Sequence, residues 1–190
     1  MVCMTNRILD PIFFSQDGET VAEALLGCVL VRNTPDGTKK LLITEVELYD
    51  GKDDLASHAS KDRTKRTEVM YGSPGHWYIY LIYGMYHMIN IVTRESGYPS
   101  AILIRGTREI SGPGRLSGYL HIDRTVNAKP ANRKTGFWIE APAEKPLLRI
   151  ERTPRIGIDY AGEPWKSQAW RFVAQLDESV HPNHDKLYER

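Results

Sequence analysis

The chain has 190 residues, of which 41% are hydrophobic and 26% are charged. This composition is typical of one soluble globular domain and argues against a disordered protein. The formal net charge is only +1, so nucleic-acid binding would have to depend on a local group of basic residues. No apolar run approaches the ~20 residues that span a bilayer. Cys3 and Cys28 are too few for a disulfide framework, which favours an intracellular protein, in the cytoplasm or nucleoid if bacterial.

The first elements are a helix and two strands. Residues 17–27 begin with D-G-E-T and continue as V-A-E-A-L-L-G, which predicts a capped amphipathic helix ending at Gly27. Strands are predicted at 29–32 and 41–49, with a Pro- and Gly-containing turn between them. Residues 50–75 are polar and charged, so we expect a long ordered loop with a short helix, and such loops are usually functional.

An aromatic hairpin follows this loop, with the sequence W-Y-I-Y-L-I-Y-G-M-Y-H-M-I-N at 77–90. Strand alternation places Tyr78 and Tyr80 on one face of the first strand. Gly84 is free to adopt a positive φ in the turn, which leaves Tyr83 and Met85 at the tip. Large side chains at an exposed tip act as wedges or anchors. The alternative is a hairpin buried entirely in the core.

The remaining pattern completes the predicted fold. The later segments are a strand at 101–105, a turn entering a helix at 111–116, a surface segment at 121–136, and strands at 147–151 and 170–173. We therefore predict the α+β class: a single compact domain over residues 1–190, with a curved, mainly antiparallel sheet flanked by helices. Residues 1–10 and 180–190 are expected to be loose tails.

Two acidic residues are candidates for catalysis. Glu45 and Glu47 lie on one face of the strand T-E-V-E-L-Y, together with Tyr49. A carboxylate among strand-forming residues is costly to bury unless it is paired, so one of them is a candidate general base. The alternative is a solvent-facing strand edge that carries two acids. His58 is a second candidate, although a lone histidine is more often a surface or hydrogen-bonded core residue.

No motif indicates a metal or a cofactor. The six histidines lack metal-ligand spacing, and the pair His181 and His184 has no supporting Cys or carboxylate cluster. Phosphate-loop, dinucleotide and nucleophile-elbow motifs are absent from the sequence. Aromatic faces, a carboxylate, an aromatic hairpin tip and local basic residues together suit an enzyme that extrudes a nucleobase and acts on it.

Five segments occur in an order that resembles one known family. They are T-E-V-E-L-Y-D-G, L-A-S-H-A, Y-I-Y-L-I-Y-G-M-Y-H-M-I-N-I, A-I-L-I-R and S-G-P-G-R-L. The chain thereby resembles the alkyladenine (3-methyladenine) DNA glycosylases, also called methylpurine glycosylases, over residues 12–173. The resemblance implies a protruding β-hairpin that enters DNA. The segment after His58 matches the family less closely than its flanks do.

The resemblance also implies roles for individual residues. Glu47 matches the acid that deprotonates the attacking water, and Arg105 matches the arginine that helps to hold that water and acid. Tyr49, His58 and Tyr80 match the residues that sandwich the flipped base.

Further matches concern the pocket floor and the DNA. Asn90 matches a residue that crowds the 2-amino group of normal guanine, and the backbone around Ala56 and His58 is expected to bind the purine edge. Tyr83 matches the tip residue that inserts through the minor groove. The residues expected to contact the DNA backbone are Lys61, Arg63, Lys65, Arg66, Met85 and Arg115, with Arg94, Arg108 and Lys134 as further basic residues.

The implied activity is monofunctional hydrolysis of an N-glycosidic bond in double-stranded DNA, with no cofactor or metal. Candidate substrates are 3-methyladenine, 7-methylguanine, ethenoadenine and hypoxanthine. Electron-rich Tyr49 and Tyr80 would favour a cationic base by ~0.5–2 kcal/mol. No lysine in the matched motifs is placed to form a Schiff base, so the strand would stay intact. We expect a monomer that acts away from membranes and leaves abasic sites for downstream processing enzymes.

Two other functions remain open. A non-catalytic nucleic-acid-binding module on a related fold would not need Glu47. A metal-dependent nuclease would need a carboxylate cluster, which the sequence lacks.

Overall fold

The computed structural model of the protein describes residues 6–144, 146 and 148–176. In this part of the chain the strands are β1 (Arg7–Ile8), β2 (Val29–Thr34), β3 (Gly37–Asp50), β4 (Trp77–Ile82), β5 (Tyr86–Val92), β6 (Ser100–Thr107), β7 (Phe137–Ala141), β8 (Leu148–Thr153) and β9 (Arg171–Leu176). The α-helices are α1 (Pro11–Phe14), α2 (Gly18–Leu25) and α3 (Pro113–Tyr119). Short 3₁₀ turns are at His58–Lys61, Glu68–Tyr71, Arg124–Val126, Arg133–Thr135 and Asp159–Ala161.

The strands form one sheet in the order β1-β7-β2-β3-β6-β5-β4. β9 pairs with the later part of β3, and β8 pairs with β9. The pairings among the described strands are antiparallel. The predicted α+β class with a mainly antiparallel sheet is therefore confirmed.

Side-chain alternation divides the central strands β3 to β6 into a core face and an opposite face. The residues directed into the main core are Val46, Leu48, Trp77, Ile79, Ile89, Ile91, Ile102 and Ile104. The residues directed to the opposite face are Glu47, Tyr49, Tyr78, Tyr80, Met88, Asn90, Leu103 and Arg105. Because successive strand residues point to opposite sides, the same strands that build the core also carry the candidate site.

Two helices cover the core face of the sheet. α2 begins where Asp17 accepts hydrogen bonds from the backbone N–H groups of Glu19 and Thr20, at 3.0 and 3.3 Å. This cap satisfies two of the free donors at the helix start. Leu25 of α2 and Leu116 of α3 are buried in the main core. Among the described helices, none is long and apolar enough to cross a membrane.

The structure differs from the sequence-based expectation at several elements. Arg7–Ile8, within the tail that was expected to be loose, pairs with β7. β7 itself was not predicted, although its Phe137 ring stacks on the Trp77 ring at 4.0 Å in the core. The loop at 50–75, where one short helix was expected, contains two short 3₁₀ helices. Residues 1–5 and the C-terminal tail at 180–190 lie outside the described residues.

The turn between β4 and β5 has three residues. Ile82 pairs with Tyr86, so residues 83–85 form the connection. Tyr83 has φ +52° and Gly84 has φ +69°. Left-handed backbone is costly for a tyrosine, and such strain often marks functional positions. Trp77, Tyr78 and Ile79 are buried, whereas the tip is exposed, so the alternative of a hairpin buried along its whole length is wrong.

Candidate active site

A cavity of about 330 Å³ opens on the face of the sheet opposite the helices. Its volume lies at the lower end of the range for small-molecule sites, roughly 300–1,000 Å³. The residues predicted for the site that line it are Tyr49, Ala56, His58, Arg66, Tyr80, Tyr83, Asn90 and Arg105. They come from β3 to β6 and from the loop at 50–75, and residues 156–158 and 160 close the remaining side.

Glu47 lies directly behind this cavity. Its side chain is 0% exposed, so the alternative of a solvent-facing strand edge is wrong. Oε2 accepts a hydrogen bond from the Tyr49 hydroxyl at 2.9 Å and lies 3.5 Å from Nη1 of Arg105. Oε1 accepts from the backbone N–H of Ile156 at 2.8 Å. A buried carboxylate needs such donors, and these three donor residues all line the cavity.

The second acid, Glu45, supports Arg105. Nε of Arg105 lies 3.1 Å from Oε1 of Glu45, and that oxygen also accepts a hydrogen bond from Nε of Arg171 at 2.6 Å. A register shift in the β3–β6 pairing occurs beside Glu45. Glu45 therefore holds the guanidinium that reaches Glu47. The sequence did not single out Arg171, because it lies 126 residues after Glu45 in the chain.

Burial keeps the tyrosines in the site protonated. It raises the pKa of the Tyr49 hydroxyl well above its usual value, and the negative charge of Glu47 raises it further. Burial likewise raises the pKa of Tyr80. A tyrosine hydroxyl is already neutral near pH 7, and the raised pKa keeps both hydroxyls protonated at higher pH as well, which agrees with the Tyr49 hydroxyl donating a hydrogen bond to Glu47.

His58 is held between two neighbours. Its Nδ1 lies 2.9 Å from the Tyr78 hydroxyl, and its Nε2 lies 3.3 Å from Nη2 of Arg66. A guanidinium only donates, so Nε2 accepts and the ring proton is assigned to Nδ1. Burial, together with the smaller effects of the charges of Arg66 and Lys61, lowers the pKa of His58 to about 4. The imidazole is therefore neutral near pH 7 and suited to contact a planar ring.

The aromatic wall is tightly packed. The His58 and Tyr80 rings meet edge to face with their centroids 4.6 Å apart. Tyr78 packs against Tyr80 at 5.3 Å. The structure thus brings Tyr49, His58 and Tyr80 to one cavity, with His58 and Tyr80 in direct contact. Offset and edge-to-face packing of this kind fixes ring orientation.

Asn90 and Ala56 are held by the protein backbone and side chains. Asn90 is 2% exposed and donates from Nδ2 to the carbonyls of Tyr78 and Met88, at 3.0 and 3.3 Å. The N–H of Ala56 donates to Asp54 at 3.0 Å, and its carbonyl accepts from the Tyr160 hydroxyl at 3.1 Å. The expected contact of the backbone around Ala56 and His58 with the purine edge stays a prediction, to which the Ala56 N–H, already bonded to Asp54, would add no free donor.

A buried ion pair fastens the loop at 50–75 to the segment after β8. Asp54 and Arg155 both have 0% exposed side chains, and Nη1 and Nη2 of Arg155 contact the two carboxylate oxygens at 2.6 and 2.8 Å. Arg155 also donates to the Leu48 carbonyl, and its guanidinium lies 4.8 Å from the Tyr49 ring centroid. The pair therefore positions two walls of the cavity. The sequence carries no local signal for a contact between residues so far apart.

The hairpin tip is strongly exposed beside the cavity. Tyr83 is 83% exposed and Met85 is 65% exposed. Arg115 at the start of α3 lines a neighbouring depression together with Tyr83. Lys61 and Lys65 are exposed on the loop at 50–75. Tyr83 lines both the cavity and this depression, so the tip projects at the entrance of the cavity.

The basic residues expected at the DNA backbone differ in their contacts within the protein: two are held in ion pairs and one lines the cavity. Arg63 makes a two-point ion pair with Glu68, at 2.6 and 2.7 Å, and lies over the Tyr71 ring. Arg94 is paired with Asp50 at 2.8 Å. Arg66 lines the cavity itself.

Comparison with known proteins identifies the family. The family model for methylpurine-DNA glycosylase matches residues 12–111 and 107–178. This chain belongs to that family. A protein named "Putative 3-methyladenine DNA glycosylase" from Methanocella arvoryzae is 41% identical over 186 residues, which span 87% of this chain and 91% of the relative. Relatives of the same name in Ehrlichia chaffeensis and Legionella pneumophila strain Paris are 41% and 42% identical over 90% and 88% of this chain, and 94% and 93% of their own lengths.

The methylpurine-DNA glycosylase match covers every described strand and helix from α2 onwards. Both acids, the aromatic wall and the hairpin tip lie within the matched residues. Within the part of the chain that the structure describes, no group of His, Cys, Asp and Glu residues could hold a metal ion. The pair His181 and His184 lies outside the described residues.

Proposed function

We propose that the protein is a monofunctional DNA glycosylase of base excision repair. It would flip an alkylated or deaminated purine out of double-stranded DNA and hydrolyse the N-glycosidic bond. The observation that carries this proposal is the fully buried Glu47 carboxylate behind an aromatic-walled cavity, held there by Tyr49, Arg105 and Ile156. A module that only binds nucleic acid has no use for a buried acid at this position, since burying it costs free energy.

Glu47 would act as the general base. A carboxylate oxygen has two lone pairs. Oε2 is used by Tyr49 and Arg105, whereas the sole donor to Oε1 among the described residues is the Ile156 N–H. The remaining lone pair of Oε1 would accept a proton from the attacking water. The negative charge also stabilises the positive charge that develops on the sugar as the bond to the base breaks.

The aromatic wall and the hairpin would select and hold the flipped base. Extrusion of a nucleotide costs a few kcal/mol and is easiest for damaged or mispaired bases. Tyr80, Tyr49 and the neutral His58 present ring faces or edges to the cavity. Tyr83, exposed at the tip, would fill the space left in the duplex. The abasic product would then pass to enzymes that process such sites.

Replacement of Tyr83 tests the hairpin role. In Tyr83→Ser we expect affinity for lesion-containing duplex to fall about 5- to 100-fold, since aromatic stacking on a base is worth ~1–3 kcal/mol. The melting temperature should barely change, because the ring is 83% exposed and makes no core contact. Fluorescence anisotropy and thermal unfolding measure the two quantities.

Tyr119→Ser is the matched control. Tyr119 is also partly exposed, but it lies at the end of α3 against Lys39 and does not line the cavity. It should leave DNA affinity unchanged. Unchanged affinity in Tyr83→Ser together with a large drop in melting temperature would show that the tip has a structural role instead.

Release of free purine is the direct test of the proposed function. The protein is incubated with duplexes that each carry one hypoxanthine, ethenoadenine, 7-methylguanine or 3-methyladenine, and the free base is measured by chromatography with mass detection. The proposal predicts release from at least one damaged duplex and none from an undamaged one. Tight binding to damaged DNA with no release would favour the binding-module alternative.

A further inference from the structure

Arg66 occupies an unexpected place in the site. Its guanidinium carbon lies 4.9 Å from the centroid of the Tyr80 ring, and its Nη2 lies 3.3 Å from Nε2 of His58. It lines both the base cavity and a neighbouring cavity of about 350 Å³. A residue expected to contact phosphate on the loop surface therefore forms part of the wall against which a base would lie.

Arg66 differs from the other arginines of the site in its charge environment. Arg105 is paired with Glu45 and Glu47, and Arg155 is paired with Asp54. The acid nearest to Arg66 in sequence, Glu68, is taken by Arg63. No carboxylate among residues 6–144, 146 and 148–176 lies within ion-pair distance of Arg66. The cavity wall thus carries the positive charge of Arg66, which is exposed to solvent and has no carboxylate partner within the described ranges.

Tyr80, one of the two tyrosines that would attract a cationic base, already has the Arg66 guanidinium close to its ring. The Arg155 guanidinium lies 4.8 Å from the Tyr49 ring centroid, but its charge is offset by Asp54. A ring attracts a cation through its quadrupole, but a second cation beside the first is repelled by it. The cation–π preference for methylated, positively charged purines is consequently weakened in this cavity.

We propose that Arg66 is a specificity-determining residue that shifts selection towards uncharged damaged purines, such as hypoxanthine and ethenoadenine, and away from cationic N-methylated purines. This inference rests on the proposed function. It concerns the preference between two classes of substrate, both of which the enzyme would accept.

The chemistry of the leaving group supports the same direction. When the bond to an uncharged purine breaks, the bonding electron pair goes to the purine, which leaves as an anion and then takes a proton from solvent. Water adds to the sugar and gives its proton to Glu47. Arg66 stabilises the developing negative charge on the purine. A cationic methylpurine leaves as a neutral base, so Arg66 repels the reactant and provides no comparable stabilisation.

Arg66→Gln tests the proposal by a ratio of rates. Single-turnover release is measured at saturating enzyme for a hypoxanthine duplex and for a 7-methylguanine duplex. The ratio of the hypoxanthine rate to the 7-methylguanine rate is expected to fall about tenfold, as loss of a partly solvated charge near the base predicts. Arg66→Lys, which keeps the charge, should retain most of the wild-type ratio.

Lys65→Gln is the matched control on the same loop, because Lys65 is exposed and its removal leaves the Arg63–Glu68 pair intact. It removes a charge that does not line the cavity, so both rates should change in parallel and leave the ratio as in the wild type. An equal loss for both substrates in Arg66→Gln would show that Arg66 acts as a phosphate contact and would overturn the inference. Wild-type protein that releases no purine from any duplex would overturn the proposed function and this inference with it. Wild-type release with an unchanged ratio in Arg66→Gln would overturn the inference alone.

Discussion

Glu47→Gln is expected to lower the single-turnover rate of purine release by roughly 10²–10⁴-fold, the usual contribution of a general base. The amide keeps the size of the side chain but loses both the negative charge and the ability to take a proton from water. Affinity for lesion-containing DNA should remain close to that of the wild type, because Glu47 lies behind the cavity and has no exposed surface. Rapid-quench release assays and anisotropy titrations measure the two quantities.

Glu140→Gln provides the control for replacing a buried acid. Glu140 is also buried on a strand, where it accepts a hydrogen bond from the Trp138 indole at 2.8 Å, and it does not line the cavity. It should leave the release rate unchanged. Full activity in Glu47→Gln would refute the assignment of the base, whereas equal losses in both variants would indicate a general effect on folding.

Arg155→Met is expected to have the largest effect on stability, a loss of about 3–5 kcal/mol in the free energy of unfolding. Removal of the guanidinium leaves Asp54 buried without its charge partner and breaks the contact with the Leu48 carbonyl. Because Ile156 follows directly and donates to Glu47, the folded fraction should also release purine more slowly. Urea unfolding monitored by fluorescence gives the change in stability.

Arg152→Met is the corresponding change at the surface. Arg152 lies three residues earlier and pairs with the half-exposed Glu19 and Glu23. Exposed ion pairs are worth about 0–1 kcal/mol, so the loss should be small. The double variant Asp54→Asn, Arg155→Met should recover part of the stability lost in Arg155→Met, since it removes the unpaired charge. Equal losses in Arg152→Met and Arg155→Met would contradict the structural role given to the buried pair.

The parts of the fold that could be predicted are those whose signal is local. The period of two in β3 and β4 separates Val46 and Ile79, which face the core, from Tyr49 and Tyr80, which face the site. β7 escaped prediction because it is short, contains the acid Glu140, and is held by pairing with β2 more than a hundred residues earlier. Pairing over such a distance leaves no trace in the local pattern of residues.

The residues of the candidate site also divide into those whose positions follow from a local sequence pattern and those whose positions depend on distant contacts. The positions of Tyr49 and Glu47 on one strand face follow from alternation. The sequence pattern did not decide whether that face is buried or is a solvent-facing strand edge. The Asp54–Arg155 pair was not foreseen, because the two residues are 101 positions apart. Arg66 was expected among surface phosphate contacts. Its place in the cavity wall depends on how the loop folds over Tyr80, which the charge run at 61–66 does not reveal.

The most direct test of the central claim is alkali-dependent cleavage of duplexes that each carry one damaged purine, after incubation with the protein in EDTA. Strand breaks are expected at the damaged position only after alkali treatment, because a metal-free hydrolase leaves an intact strand with an abasic site. Strand breaks before alkali, or cleavage that EDTA abolishes, would contradict the central claim, as would the absence of breaks with every damaged duplex.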